Sequence, residues 1–173
     1  MTTSPDASVR PARETDAPAV AATTLAAWRA SYAELLPAEV LAGLDLADAT
    51  NSWRAAIREP GEHRLLVACA GPSVVGYVLV APDGGPGAQL VELVVRPDQQ
   101  RRGHGSRLLS AAVTGLREDG VTSVVAWTDS EDAARASFLT SAGFAADGTS
   151  RTLDLDGTGT TTVRQLRWSA LLA

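Results

Sequence analysis

Hydrophobic side chains recur along this chain with two different spacings. In the first third they return every three to four residues, which predicts helices. From His63 onward they form short runs between turns rich in glycine and proline, which predicts strands. The helices are expected at about 16–30, in a short piece after Pro37, and at 46–58, 103–118 and 131–142. The strands are expected at 8–12, 63–70, 74–81, 88–96, 122–128, 151–155 and 161–168.

The order of these elements predicts an α+β fold. One strand and the first helices precede three strands, and single helices then alternate with the remaining strands. Antiparallel runs mixed with single crossover helices indicate a sheet that is covered by helices on both faces. No repeat and no long linker divides the 173 residues. We therefore expect one domain over 7–173 after a loose, flexible tail at 1–6.

Composition and charge narrow the possible functions. The net charge is −5, which argues against nucleic-acid binding, and all 15 cationic side chains are arginine. Cys69 is the only cysteine, so disulfide frameworks and multi-cysteine metal sites are excluded, and no metal is expected. Neither a signal peptide nor an apolar run long enough for a bilayer is visible. We expect a cytoplasmic protein with no membrane contact.

One segment, LVELVVRPDQQRRGHGSRLLSAAV from Leu90 to Val113, carries most of the chemical information. An apolar strand breaks at Pro97, and a turn rich in glycine and arginine leads directly into an amphipathic helix. Glycine lets the backbone approach a ligand, and the free N–H groups and dipole of a helix start favour an anion such as phosphate. The alternative is a solvated helix start that binds nothing.

Two familiar phosphate motifs do not fit this turn. A dinucleotide-binding turn requires a third glycine where this chain has Leu108, and it requires repeated parallel strand–helix units. An ATP-type phosphate loop requires a lysine, which this chain lacks. What remains is an anion-binding turn at a helix start within a mixed sheet.

The motifs resemble those of bacterial members of the GNAT superfamily of N-acetyltransferases. The match rests on Val95-Arg96-Pro97, on QRRGHG over 100–105, on WRASYAELLP over 28–37, and on FLTSAGF over 138–144 followed by Asp147-Gly148. The resemblance implies a mixed, mostly antiparallel sheet of six to seven strands with helices on both faces and a splayed central cleft. It also implies acetyl transfer from acetyl-CoA, the acyl-donor co-substrate, to a primary amine of a small molecule or peptide, by direct attack in a ternary complex.

The resemblance further implies where the cofactor binds. The pantetheine arm is expected to pair with the backbone of Leu93, Val94 and Val95 as an added strand would. The pyrophosphate is expected against the N–H groups of 101–106, with Arg101 and Arg102 adding positive potential. His104 is expected to point outward from the turn. The full set of expected cofactor contacts is Leu93, Val94, Val95, Gln100, Arg101, Arg102, Gly103, His104, Gly105, Ser106, Asp132 and Phe138.

Three positions depart from the family pattern. Leu139 stands where many relatives have a tyrosine that protonates the thiolate, Asp132 replaces an asparagine, and Gln89 replaces a glutamate base. Two other residues are candidates for the missing acid and base. Glu92, a carboxylate on the cofactor strand, is the candidate base, and Tyr32 is the candidate proton donor. The alternative for Glu92 is that it is a strand residue that faces the surface.

The acceptor pocket is expected to involve four side chains near the cleft. Trp28, on the apolar face of the first helix, and Tyr32 and Glu34 just beyond it are three of them. Asp129 is the fourth. The alternative role for Asp129 is to cap the N-terminus of a helix. Acidic groups at these positions suit a cationic amine.

Two other functional classes stay open at this point. One is an acyl-CoA-binding sensor or regulatory module with weak catalysis, and the other is an interaction domain without a CoA site. A homodimer formed through the final strands is a further expectation, because edge strands invite pairing.

Overall fold

The computed structural model describes residues 7–172, so the expected tail at 1–6 lies outside the described residues. Residues 7–172 form five α-helices: α1 (Ala17–Tyr32), α2 (Ala38–Ala42), α3 (Leu46–Arg58), α4 (His104–Glu118) and α5 (Ala133–Ser141). The same described residues form seven strands: β1 (Ala7–Pro11), β2 (Arg64–Ala70), β3 (Ser73–Pro82), β4 (Ala88–Val95), β5 (Ser123–Asp129), β6 (Ala145–Asp154) and β7 (Thr162–Leu171).

The strands form one mixed sheet in the order β1-β2-β3-β4-β5-β7-β6. The pairs β1–β2, β2–β3, β5–β7 and β6–β7 are antiparallel. β4 and β5 pair in parallel over a short register, from Ala88 opposite Val124 to Leu90 opposite Ala126. The prediction of a mixed, mostly antiparallel α+β sheet is confirmed.

One strand is longer than the sequence pattern predicted. β6 begins at Ala145 rather than near Arg151, and its register with β7 shifts between Ala146 and Ser150. Every residue from 145 to 152 is exposed, so no apolar alternation marks this part of the strand. Gly148, with φ 85°, lies within the shift. Its pairing with β7 makes this segment a strand in spite of its polar sequence.

The contacts divide the described chain into two compact units. The first contains residues 7–80 and 92–114, with α1, α3, β1, β2 and most of β3. Its core cluster combines Val20 of α1 with Val67, Cys69, Val74 and Tyr77 of β2 and β3, and Trp53 of α3 packs against it. Four successive residues of β2, from 66 to 69, are buried. Both faces of the sheet are therefore covered in this unit.

The second unit contains residues 81–91 and 115–172. The side chains of β5 alternate, because Val124, Ala126 and Thr128 are buried while the residues between them are half-buried. Leu139 of α5 and Phe144 are also buried. β6 is the last strand of the sheet order and is almost wholly exposed. Dimerisation through the final strands stays a prediction, as does the single domain expected from the sequence.

Candidate active site

The segment after β4 forms a tight turn that leads into α4. A 3₁₀ turn over Pro97–Gln99 follows the strand, and the side-chain amide of Gln100 donates a hydrogen bond to the carbonyl of Val95 at 3.2 Å. The backbone then enters the left-handed region twice, at Arg101 (φ 58°) and at Gly103 (φ 79°), before α4 starts. This is the strand–turn–helix arrangement that the sequence predicts for the segment.

The four arginines of this segment differ in their partners. Arg96 forms an ion pair with Asp98 at 2.8 Å, and Nη1 of Arg107 donates to the carbonyl of Arg102 at 3.0 Å. Within residues 7–172, the guanidinium groups of Arg101 and Arg102 have no hydrogen bond or ion pair, and both side chains are exposed. These two groups are therefore available to an anion at the start of the helix.

Gly103 leaves little room for a side chain in this turn. A Cβ atom at Gly103 would lie 3.2 Å from Nη1 of Arg107, which is closer than an ordinary contact. Its φ of 79° is also strained for any residue with a side chain. Glycine at this position leaves the N–H groups of the turn open to a ligand.

His104 is buried, with 4% of its surface exposed. The expectation that it points outward from the turn is wrong. It lies one helical turn before the fully buried Leu108, so the two side chains share the inner face of α4. Burial lowers the pKa of His104, and the positive charges of Arg107 and Arg102 lower it further.

This lowered pKa predicts that acid destabilises the protein through His104. The unfolded chain, with an ordinary pKa of about 6.5, binds a proton that the folded state rejects. The contribution of His104 to the free energy of unfolding is therefore complete above about pH 6.5 and falls as the pH drops below that value. Urea unfolding between about pH 7.5 and 5.5 measures this loss, and His104→Gln is expected to flatten the dependence.

The control for that measurement is His63→Gln. This change removes the other histidine of the chain, an exposed one, and is expected to keep the pH dependence of the parent. Equal slopes in the parent and in His104→Gln would contradict the assignment.

Glu92 lies on β4, and its carboxylate is hydrogen-bonded within the first unit. The side chain is half-buried, and its Oε2 accepts a hydrogen bond from the hydroxyl of Tyr77 at 2.5 Å. Tyr77 lies on β3 and is fully buried. A carboxylate bonded to a buried hydroxyl is not a freely solvated surface group, so the surface-facing alternative for Glu92 is wrong.

The hydrogen bond to Glu92 continues into the core. Oγ1 of Thr24, on α1, lies 2.8 Å from the Tyr77 hydroxyl, and Nε1 of Trp53, on α3, donates to Thr24 Oγ1 at 3.1 Å. The rings of Trp53 and Tyr77 meet edge to face, with centroids 5.2 Å apart. Four side chains from four elements thus form one connected chain that ends at Glu92.

Tyr77, Thr24 and Trp53 were not among the residues expected at the site. A signal for Tyr77 is nevertheless present, because it is the one polar side chain within the apolar run VVGYVLV over 74–80. A buried tyrosine hydroxyl requires a partner. Only the alignment of β3 beside β4 identifies Glu92 as that partner. The two strands approach closely, since a Cβ atom at Gly76 would lie 2.6 Å from the carbonyl oxygen of Val94.

The expected acceptor residues of the first unit lie at and beyond the end of α1. Tyr32 is the last residue of that helix and is half-buried, and Glu34 follows in an exposed turn. Trp28 follows Leu25 and Thr24 on the same face of α1, but its side chain is 41% exposed. Past Leu25, only Ala27 and Tyr32 of the helix are even partly covered.

In the second unit, Asp129 ends β5 and belongs to a row of polar groups across three strands. Its Oδ1 accepts a hydrogen bond from Nε2 of Gln165 at 2.9 Å, and the Oε1 of Gln165 accepts one from Nε of Arg151 at 2.9 Å. The Arg151 guanidinium lies 4.1 Å from the ring centroid of Trp127, a cation–π contact. These contacts hold both Asp129 and Arg151 in fixed orientations.

Asp132, rather than Asp129, caps α5. Its Oδ1 accepts a hydrogen bond from the backbone N–H of Arg135 at 2.8 Å. The alternative reading of Asp129 as the helix cap is therefore wrong. On α5, Phe138 is half-buried while Leu139, at the position of the missing tyrosine, is fully buried.

Within residues 7–172, no helix combines the length and the apolar character that a membrane crossing requires. No group of three or more His, Cys, Asp or Glu side chains in the same range is arranged to hold a metal ion.

A family model matches most of this chain. The model, described as the acetyltransferase (GNAT) family, aligns with residues 25–144. That range includes α1 from Leu25 onward, β4, the glycine turn, α4 and α5.

Solved structures share the fold over nearly the whole chain. The PaiA N-acetyltransferase from Thermoplasma acidophilum, in complex with coenzyme A, is 16% identical, with a TM-score of 0.72 over 93% of this chain and 98% of that one. The yncA protein from Salmonella typhimurium, with its cofactor acetyl-CoA, is 21% identical, with a TM-score of 0.74 over 97% and 95%. The ribosomal-protein-alanine N-acetyltransferase from Brucella melitensis is 25% identical, with a TM-score of 0.73 over 95% and 99%.

Proposed function

Because this chain belongs to the acetyltransferase (GNAT) family, we propose that it transfers the acetyl group of acetyl-CoA to a primary amine of a small molecule or peptide. The observation that carries the proposal is the open turn before α4. There, two left-handed residues and two unpaired guanidinium groups surround the start of the helix. A diphosphate is the kind of anion that such a turn accepts.

The cofactor contacts of the first unit follow from this turn. The diphosphate binds the N–H groups of 101–106, with Arg101 and Arg102 adding charge, and the pantetheine arm runs along the backbone of Leu93, Val94 and Val95. Two solved structures with this fold contain coenzyme A or acetyl-CoA, which supports the same ligand here. The contacts expected for Asp132 and Phe138 with the cofactor, and for Asp129 with the acceptor, stay predictions.

The chemical step is a direct attack in a ternary complex. The amine nitrogen attacks the thioester carbonyl carbon, the C–N bond forms, and the C–S bond breaks. Glu92 takes the proton that the amine loses, and Tyr32 donates a proton to the departing thiolate. A backbone N–H of β4 polarises the carbonyl. Glu34, with Trp28 and Tyr32, contributes to acceptor binding and suits a cationic amine.

A second candidate is an acyl-CoA-binding sensor or regulatory module. The observation that favours it is Leu139, which is fully buried and has no proton to give at the position where many relatives have a tyrosine. Loss of one acid–base group lowers a rate by about 10²- to 10⁴-fold rather than removing the reaction, so Leu139 alone does not decide between the two functions.

Thiol release from acetyl-CoA separates the two functions. The purified protein is incubated with acetyl-CoA and a panel of amino acids, polyamines, aminoglycosides and peptides with free N-termini. The acetyltransferase predicts amine-dependent thiol release, together with an acetylated product seen by mass spectrometry. Calorimetric binding of CoA without turnover on any amine favours the sensor. No binding of CoA at all contradicts both.

A further inference from the structure

The donors and acceptors of the hydrogen bonds that link Trp53, Thr24, Tyr77 and Glu92 determine the direction of each bond. We propose that Tyr77, oriented by Thr24 and Trp53, holds the Glu92 carboxylate in one position in both of its protonation states and leaves Oε1 as the oxygen that takes up a proton. The proposal rests on the role of Glu92 as base given above. It adds Tyr77 and Thr24 as positioning residues.

The ionised state of Glu92 settles the direction of the first bond. A carboxylate only accepts, so the Tyr77 hydroxyl donates to Oε2 over the observed 2.5 Å. The Tyr77 oxygen then accepts from the hydroxyl of Thr24 at 2.8 Å. Thr24 in turn accepts from Trp53, whose indole N–H is a donor only. Every proton in the chain points toward the carboxylate.

The protonated state of Glu92 is served by the same heavy atoms. The new proton is on Oε1, so Oε2 is the carbonyl oxygen of the neutral carboxyl group and still accepts from the Tyr77 hydroxyl. Thr24 and Trp53 keep the hydrogen bonds that they make in the ionised state. The change of charge therefore requires no hydroxyl rotation and no movement of the carboxyl group.

The core end of these hydrogen bonds takes up no proton, because the Trp53 indole N–H is a donor only. Tyr77 and Thr24 are buried, with exposures of 0% and 4%. In the part of the chain that the structure describes, Oε1 of Glu92 has no hydrogen-bond partner. A proton that arrives from a substrate therefore arrives at Oε1, while Oε2 anchors the group.

A general base benefits from such an anchor. It must change its charge during each turnover and yet keep its distance from the substrate, because displacement by about 1 Å can cost about 10²-fold in rate. A core hydrogen bond that survives in both charge states meets this requirement.

The kinetic test uses the amine of highest rate from the thiol-release panel. Tyr77→Phe is expected to lower kcat by about 10-fold, the equivalent of one charged hydrogen bond, with an unchanged KM for acetyl-CoA. Thr24→Val is expected to lower kcat by about 3- to 10-fold, while Thr24→Ser, which keeps the hydroxyl, is expected to restore it. In a Glu92→Gln background, Tyr77→Phe is expected to cause no further loss, because it acts through Glu92.

Thr23, which lies outside these hydrogen bonds, provides a matched control. This threonine is also buried on α1, and its hydroxyl donates to the Ala19 carbonyl at 2.8 Å, but within the described residues it makes no hydrogen bond to Tyr77. Thr23→Val therefore removes an equivalent buried hydroxyl and is expected to leave kcat unchanged. If Thr23→Val and Thr24→Val lowered kcat equally, the hydrogen bonds to Glu92 would have only a structural role, and the proposal would be overturned. The same conclusion would follow if Tyr77→Phe lowered kcat equally in the parent and in the Glu92→Gln background.

Crystal structures test the position of the Glu92 side chain independently of the reaction. In the parent and in Glu92→Gln, which mimics the neutral acid, the side chain at this position is expected to keep its bond to Tyr77. In Tyr77→Phe it is expected to leave that position or to spread over several rotamers. A carboxylate that stays within about 0.5 Å in Tyr77→Phe would overturn the proposal. Absence of turnover on every amine would instead contradict the proposed function, since the crystal result does not depend on the reaction.

Discussion

Replacing Gly103 with aspartate is expected to weaken acetyl-CoA binding by at least about 100-fold. The new negative charge and the side chain that blocks the diphosphate from the turn are each expected to cost roughly 1–3 kcal/mol of binding free energy. The new side chain would meet Arg107 at the mouth of the turn, where a Cβ atom alone lies 3.2 Å from Nη1. Its carboxylate would also occupy the place proposed for the diphosphate and would repel it. Isothermal titration calorimetry with acetyl-CoA measures the change.

Gly120 offers a matched control at the other end of α4. Its φ is 78°, against 79° for Gly103, so Gly120→Asp imposes the same backbone strain of about 1–2 kcal/mol. A Cβ atom at Gly120 has no heavy atom within 4 Å, so no clash is added. Gly120→Asp is expected to bind acetyl-CoA as the parent does. Loss of binding in both variants, or in neither, would remove the turn as the diphosphate site.

Replacing Glu92 with glutamine is expected to lower kcat by at least about 10²-fold, the smallest contribution typical of a general base. The amide keeps the shape of the side chain and a hydrogen bond to Tyr77, but it cannot take up the proton of the amine. Binding of acetyl-CoA, followed by calorimetry, is expected to stay the same. The measurement is thiol release at saturating acetyl-CoA with the best amine of the panel.

Glu118→Gln tests whether charge alone explains such a loss. Glu118 is the exposed last residue of α4, and its replacement makes the same change in net charge. It is expected to retain the turnover of the parent. If Glu92→Gln also kept the parent kcat, Glu92 would not be the base, and the sensor function would gain support.

Several features were determined by neighbouring residues and were predictable for that reason. α3 has the predicted bounds, because Asp45 caps it with a hydrogen bond to the N–H of Asp48 at 2.9 Å and its apolar face recurs with helical spacing. The glycine turn and the start of α4 were predictable because glycine, as at Gly103 with φ 79°, adopts positive φ values readily and so permits a tight turn. The mixed sheet followed from the order of its elements.

Other features depend on residues far apart in the sequence. The first part of β6 has no apolar alternation, and only its pairing with β7 makes it a strand. His104 is buried because of the direction in which α4 leaves the turn.

The difference between what the sequence determined and what only the tertiary structure decided is clearest at Glu92. The sequence alone determined that a carboxylate stands in an apolar strand beside an anion-binding turn, since both features lie within one local segment. Only the tertiary structure decided what that carboxylate contacts. Its partner Tyr77 is on another strand, and Thr24 and Trp53 come from two helices far earlier in the chain. Hydrogen bonds between distant elements depend on strand register and helix packing, which no local pattern of residues specifies.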